Sequence, residues 1–480
     1  MLVCLQCLPF VLVFVSFLTQ PRDSDLGWHL KYGEYFWQHH SLLQKNTFST
    51  EMPDYLYTNT GWGVDILTYA VFHLFGFWGL AFLGALIATL IFYFFSQAAR
   101  LTLWQKVLFF PLLIVLSSPS LSVSFRGEHL SILALGILLF LIKRFETKKD
   151  SAIFFTIPLF LVWANFHGEF PLGLAIFLFW ISFRFFGVMA KERLTLLSSF
   201  VLAFMATLLN PYGFYLYRES VKHVFNPIKE TIVGWSHPPI YSLLWWYIIA
   251  WVGLFLLSIF LLLKWKKMRH KLFVILLSLP LFWLAFQSRR YIVPLFFLSS
   301  PVVAIIFQAI RPRWKIARSA ILASILVLWG GYLFYHKLPL ENLPAMSWER
   351  YCLYERCSPS SARFLEKHHL TQKLFSSYDW GGWLIWNYPH IKPSVDGRMG
   401  YWEDETGYNA YARYYLYAND LKNIDDSSYD VVYMPPYASI HERIKLLEKE
   451  RKWKIVYWDQ QAFVAVRLPN SPASRKLPTE

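Results

Sequence analysis

Residues 242–263 read SLLWWYIIAWVGLFLLSIFLLL, a run with no charged side chain that is long enough to cross the hydrocarbon core of a bilayer as a helix. Apolar side chains on every face suit a helix surrounded by lipid, whereas a surface helix of a soluble domain keeps one face polar. Ten further runs have the same character, at roughly residues 1–18, 78–96, 107–123, 129–142, 153–166, 172–189, 194–209, 272–286, 291–310 and 320–335. Together they predict an all-α polytopic membrane protein with about eleven transmembrane helices. Several runs are shorter than the ~20 residues of a perpendicular crossing and rely on flanking aromatics, on tilt of their neighbours or on re-entrant geometry. The first run lacks a basic leader and a small-residue cleavage site, so it reads as a spanning helix rather than a signal peptide.

Composition agrees. Hydrophobic residues make up 56% of the 480-residue chain and charged residues 16%, a balance more apolar than a soluble core of this size can hide. Aromatics reach 19%, including 22 Trp, and many sit near the ends of the apolar runs, where an amphipathic ring bridges lipid and water. The net charge of +15 is dispersed in short clusters between runs instead of forming one basic face, which excludes a nucleic-acid footprint. Those clusters are topology signals. One parity of loop holds Lys143, Arg144, Lys148 and Lys149, then Lys191 and Arg193, then Lys264, Lys266, Lys267, Arg269 and Lys271, then Arg311, Arg313, Lys315 and Arg318; it reads as cytoplasmic. The opposite parity, which holds residues 20–63, the turns at Arg126, His167 and Arg289, the loop 210–241 and everything after about His336, reads as external.

The expected domains are a membrane domain over 1–336 with an outer loop at 20–63, an external soluble α/β domain over 337–468 and a disordered tail over 469–480. Strand-like segments at 430–434 and 454–458 flank a helix-like stretch at 438–451. Four cysteines rule out a zinc framework; Cys352 and Cys357 either close a small disulfide in an oxidising compartment or stay as two thiols.

Chemistry concentrates just after the first run, in Arg22-Asp23-Ser24-Asp25-Leu26-Gly27-Trp28-His29-Leu30. Two carboxylates at i and i+2 can share a divalent metal such as Mg or Mn, or one can act as base while the other orients it. Acidic residues in an outer loop are also often merely solvated. Three more polar sites fall on the same expected face: Trp163-Ala164-Asn165-Phe166-His167-Gly168-Glu169, Leu209-Asn210-Pro211-Tyr212-Gly213, and Arg289-Arg290. Each has a plainer reading, as a capped turn, a turn by propensity and a pair of snorkelling anchors respectively. Asp65 precedes a long apolar run and is placed to meet the first loop.

These segments resemble the GT-C class of membrane glycosyltransferases, and within it a large bacterial group whose first outer loop reads Asp-x-Asp-x-Trp-Trp-His-Leu, followed by Phe-Ser and Trp-Leu-x-Glu. Here the matches are Asp23, Asp25, Trp28, His29 and Leu30, then Phe48 and Ser49, then Trp62 with Asp65 in the Glu position. Later motifs match at Trp163, Ala164, Asn165, His167 and Gly168, and at Leu209, Asn210, Pro211 and Gly213. In the tail, Tyr378-Asp379-Trp380-Gly381-Gly382-Trp383 and Val395-Asp396-Gly397-Arg398 are similar to motifs of the same group. Gly27 departs from the first of the two Trp, Glu169 from a second Gly, and Gly127 from a Pro after Arg126.

The resemblance implies transfer of a sugar, with inversion, from a polyprenyl-phosphate carrier to a glycan, lipid or protein acceptor on the outer face of a bacterial inner membrane. Asp25 or Asp23 would be the base and Asp65 would assist or share a metal. Trp28, His29, Asn165 and His167 would bind substrate, while Arg289, Arg290 and Arg126 would hold the phosphate. A polysaccharide ligase or polymerase and a noncatalytic envelope assembly protein are the alternatives. A transporter is disfavoured, because the charges sit at the ends of runs and the halves of the chain show no matching pattern.

Overall fold

The computed structural model describes residues 2–187, 189–225, 227–232, 234–266, 271–310, 315–337 and 346–469. Nineteen α-helices are described, in chain order α1 (Leu2–Phe17), α2 (Leu26–His39), α3 (Trp62–Ala99), α4 (Leu103–Leu121), α5 (Gly127–Lys148), α6 (Thr156–Phe166), α7 (Phe170–Arg184), α8 (Ala190–Thr207), α9 (Tyr215–Phe225), α10 (Leu243–Lys264), α11 (Leu272–Gln287), α12 (Ile292–Val303), α13 (Ile305–Ala309), α14 (Lys315–Lys337), α15 (Trp348–Glu355), α16 (Pro359–Lys367), α17 (Gly381–Asn387), α18 (Ala410–Ala418) and α19 (Ile440–Lys449). Four short strands lie among the last of these, β1 (Leu374–Ser376), β2 (Val431–Met434), β3 (Trp453–Trp458) and β4 (Phe463–Arg467).

Two compact units divide the chain. The first comprises Met1–Gln20, Phe75–Val224 and Ile232–Ala345; the second comprises Pro21–Leu74, Phe225–Thr231 and Met346–Glu480. The outer loop expected to belong to the membrane domain therefore packs as part of the C-terminal unit, a redistribution that no local sequence signal announces. The chain passes between units inside α3, where Gly76 breaks the helix at φ 58, ψ −151, a conformation open to glycine and costly for any side chain.

All eleven apolar runs of the sequence hold helix, but they are not equal. Among the described residues six helices are long and apolar enough to cross a membrane, at Trp62–Ala99, Leu103–Leu121, Phe170–Gly187, Leu243–Lys264, Arg289–Ala309 and Ser319–His336. Three more apolar helices are shorter, at Gln6–Phe17, Ser151–Phe166 and Leu272–Gln287. The last two, α5 and α8, bring charged side chains into their ends, Glu128, Lys143 and Arg144 in one and Lys191, Glu192 and Arg193 in the other, which shortens their uncharged part. The expectation of eleven is thus met by six helices on length and composition.

In the membrane unit α12 forms the core, with every side chain from Ile292 to Val303 buried. Phe297 on it packs against Phe92 and Phe95, and Ser299 accepts the Trp251 indole N–H at 2.8 Å. The outer helices present apolar side chains outward, among them Leu256, Phe260, Trp283, Val327 and Leu328, the arrangement expected when lipid is the solvent.

The C-terminal unit is built on a mixed sheet in the order β1-β2-β4-β3, with β1 parallel to β2 and the other pairs antiparallel. The segments expected as strands at 430–434 and 454–458 are β2 and β3, and the expected helix is α19, whereas β1 and β4 lie outside the strand-like segments of the sequence. Phe375, Val432, Ile440, Ile444, Leu447, Trp453 and Phe463 fill the space beneath the sheet. Cys352 and Cys357 form a disulfide, which resolves the alternative left open by the sequence. The tail beyond residue 469 lies outside the described residues, as do Lys267, Arg269, Arg311 and Arg313 of the basic loops.

Candidate functional site

In the C-terminal unit the first loop and the tail motifs interlock through backbone. A Cβ on Gly27, at the start of α2, would lie 1.8 Å from the Gly382 carbonyl oxygen on α17, and a Cβ on Gly382 would lie 2.4 Å from the Ser24 carbonyl oxygen. Neither position tolerates a side chain without moving backbone. The glycine that departs from the resembled motif is thus the partner of the glycine pair in the tail. Thr50 and Glu51 donate their backbone N–H groups to the Pro393 and Ser394 carbonyls at 2.9 and 3.2 Å, adding a second seam.

Between these seams lies a dry ion pair. Arg398 holds both oxygens of Asp396 at 2.7 and 2.8 Å, with both side chains at 0% exposure. The same guanidinium donates to Asn46 Oδ1 at 2.8 Å and lies over Phe48, Tyr57 and Trp402. Ser49 donates its hydroxyl to Asp396. Phe48 and Ser49, matched only as a motif, are therefore contacts of an arginine and an aspartate more than 300 residues away. Burial alone would push the Asp396 carboxyl up, but the Arg398 charge and hydrogen bonds hold it below the usual carboxylate range.

Around this clamp stand the sequence-predicted acids. Asp23 is buried and its Oδ1 accepts the Asp25 backbone N–H at 3.2 Å, so it shapes the turn that starts α2. Tyr351 donates to the Asp23 carbonyl at 2.8 Å and fixes the same turn. Asp25 occupies the N-cap position of α2 without a side-chain capping bond, and its carboxylate faces Gly397, where a Cβ would lie 1.7 Å from Oδ1. Asp65, wholly buried, accepts the His29 Nδ1–H at 2.5 Å and the Asn59 amide at 2.5 Å. Asn59 is oriented by its own acceptance of the Gly61 N–H at 2.9 Å, which turns its NH2 toward Asp65. Trp28 lies against the His29 ring at 3.7 Å between centroids. Burial alone would lower the His29 imidazole, but Asp65, with Asp23 and Asp25 adding, raises it above its ordinary value.

No group of three His, Cys, Asp or Glu side chains among the described residues is arranged to hold a metal ion. One oxygen of Asp23 already serves the backbone, so the proposed Asp23–Asp25 pair is a poor donor set and no step below is routed through a metal.

The other predicted residues gather in the membrane unit. Arg290 donates to Glu169 at 2.6 Å and to His167 Nε2 at 2.9 Å, and lies over the Trp235 ring at 4.2 Å. Because a guanidinium only donates, His167 Nε2 must carry a lone pair; its Nδ1–H then donates to Ser131 Oγ at 2.7 Å, which also accepts from Trp163 Nε1 at 2.8 Å. Arg126 and Arg290 both face Glu128, which accepts from Ser120 at 2.8 Å. Arg289, by contrast, makes no side-chain hydrogen bond or ion pair among the described residues, and its Nε is buried without a partner. The departures from the motif again have partners: Glu169 pairs with Arg290, and a Cβ on Gly127 would press on the His167 ring at 2.8 Å. Asn165 donates to the Leu209 carbonyl at 3.0 Å, so it ties two motifs together, and Asn210-Pro211-Tyr212-Gly213 is a turn closed by the Asn210 side chain, with Gly213 at φ 54.

The predicted residues thus form two groups. Asp23, Asp25, Trp28, His29 and Asp65 belong to the C-terminal unit, and Arg126, Asn165, His167, Arg289 and Arg290 to the membrane unit. Sequence reasoning missed Asn46, Asn59, Glu128 and Ser131, none of which carries a local signal. No protein-family model matches the chain, and no curated protein matches it.

Proposed function

We propose that this chain is a GT-C-type membrane glycosyltransferase with eleven crossings, a cytoplasmic N-terminus and its C-terminal unit on the outer face of a bacterial inner membrane. It moves a sugar from a polyprenyl-phosphate carrier to a glycan, lipid or protein acceptor. The reading is supported chiefly by one observation. Motifs at opposite ends of the chain, joined by a Ser49–Asp396 hydrogen bond across 347 positions, enclose a cluster of carboxylates beside a partly exposed histidine.

Sugar transfer from a phosphate needs a proton acceptor for the incoming hydroxyl, negative charge near the anomeric carbon as positive charge builds there, and cations for the departing phosphate. Asp25 and the His29–Asp65 pair supply the first two. For the third, the resemblance offers Arg126, Arg289 and Arg290 of the membrane unit, of which Arg290 is held by Glu169 and His167. The basic loops support the orientation through Lys and Arg on one parity of connection.

The test is direct transfer. The full-length protein in lipid nanodiscs should move labelled sugar from at least one member of a panel of polyprenyl-phosphate hexoses and pentoses to envelope lipid or glycan extract. Consumption of no donor in the panel would sink the reading.

A further inference from the structure

The His29–Asp65 pair has a geometry that a merely assisting carboxylate does not need. Asp65 is wholly buried, with one oxygen taken by His29 and the other by Asn59, so neither is turned toward a reactant. Asp25 packs its carboxylate on the Gly397 backbone, and Asp23 serves the turn. The imidazole differs from all three. Its Nδ1 is fixed by Asp65, its ring is held by Trp28, its side chain is 22% exposed, and its Nε2 makes no hydrogen bond to any described residue. A carboxylate that orients one ring nitrogen, leaving the other to accept a proton, is the arrangement by which an imidazole serves as a general base.

We propose that His29 is the general base of the sugar transfer and that Asp65 is its positioning residue, an inference that rests on the transfer reading above. His29 Nε2 takes the proton of the acceptor hydroxyl as its oxygen bonds to the anomeric carbon. The bond from that carbon to the phosphate oxygen breaks, and its electron pair leaves with the polyprenyl phosphate. The imidazolium then returns its proton to water. The negative charge of Asp25, close to the imidazole, offsets the positive charge that builds at the anomeric carbon. The charged groups around the imidazole are Asp65 from α3 and Asp23 and Asp25 from the turn before α2, with Arg398 acting on Asp65 from the tail. All three carboxylates favour the imidazolium that forms when the proton arrives.

The experiment measures initial rates across pH for the full-length protein in nanodiscs, with the polyprenyl-phosphate sugar that the wild type uses. His29→Ala should lower kcat by about 10²–10⁴-fold with KM within a few-fold, and added imidazole should restore part of the rate. Asp65→Asn should move the acidic limb of the kcat/KM profile to lower pH, and should lower the titration of the His29 ring followed by NMR in histidine-labelled protein, because the imidazolium loses its partner. A wild type that transfers sugar while His29→Ala keeps its rate within a few-fold, or an acidic limb unmoved in Asp65→Asn, overturns the assignment of the base and leaves the transfer reading standing. A wild type inert toward every polyprenyl-phosphate donor removes the transfer reading and this role with it.

Discussion

Two arginine–carboxylate pairs organise the two units, and they are built differently. Arg398 and Asp396 are fully dry, share two hydrogen bonds and sit among aromatic rings, whereas Arg290 and Glu169 are 18% and 19% exposed and share one. A pair taken wholly out of water has given up its hydration, so removing one partner strands the other charge in a medium that cannot solvate it. A partly solvated pair can trade its partner for water at lower cost. The first pair is therefore a clamp that fixes the loop to the tail. The second is an adjustable electrostatic rim, beside which Arg289 makes no side-chain hydrogen bond or ion pair among the described residues.

The largest expected effect separates clamp from working groups inside the C-terminal unit. Asp25→Asn should cost about 10²–10⁴ in transfer rate, some 3–5 kcal/mol of barrier, while thermal stability stays near that of the wild type. Asp54 lies in the same loop, mostly exposed and paired with Lys45 at 3.6 Å, and Asp54→Asn should leave the rate unchanged. Equal losses for the two would reduce Asp25 to an ordinary loop residue.

Next comes the clamp. Arg398→Met should destabilise the C-terminal unit by about 3–5 kcal/mol, and the double change Asp396→Leu with Arg398→Met should recover much of that, since no lone charge remains buried. Protease resistance of the first loop reads both. Acid probes the same pair: the Asp396 carboxyl is depressed in the folded state, so its contribution is present above the unfolded value of about 4 and is lost as pH falls through the folded one. A loop whose protection against protease does not change in Arg398→Met would erase the distinction between the two pairs.

At the rim, Arg290→Met should cost less stability, about 1–3 kcal/mol, because water can replace part of what is lost. Arg289→Met should barely move the melting temperature but should weaken binding of a short-chain polyprenyl phosphate, measured by calorimetry in detergent. Comparable stability losses for both arginines would mean that Arg289 has a structural partner after all.

A modest effect belongs to the Cys352–Cys357 disulfide. It joins residues five apart, and because loop-closure entropy grows with loop length, reduction or paired Cys→Ser replacement should cost no more than about 2 kcal/mol. A larger drop in melting temperature on reduction would point to a role beyond closing that loop.

The sequence by itself determined that its apolar runs are helical, because an uncharged apolar run leaves the backbone no partner in lipid except itself; α2, α9 and α15 to α18 carried no such signal. It determined β2, β3 and α19 through local periodicity, and it marked Asp25, His29, Asp65, His167 and Arg398 as residues worth placing. Tertiary structure decided what they touch. Ser49 meeting Asp396, Phe48 stacking on Arg398 and Gly27 packing on Gly382 are each contacts across more than 300 positions, and no periodicity or spacing encodes them. The same holds for the departures from the resembled motifs: Gly27, Gly127 and Glu169 read as losses along the chain, and in space each is matched to a partner. A local pattern reports how a segment meets its solvent, lipid or water, whereas the fit of one backbone on another and the burial of a charge depend on what the rest of the chain brings to that place.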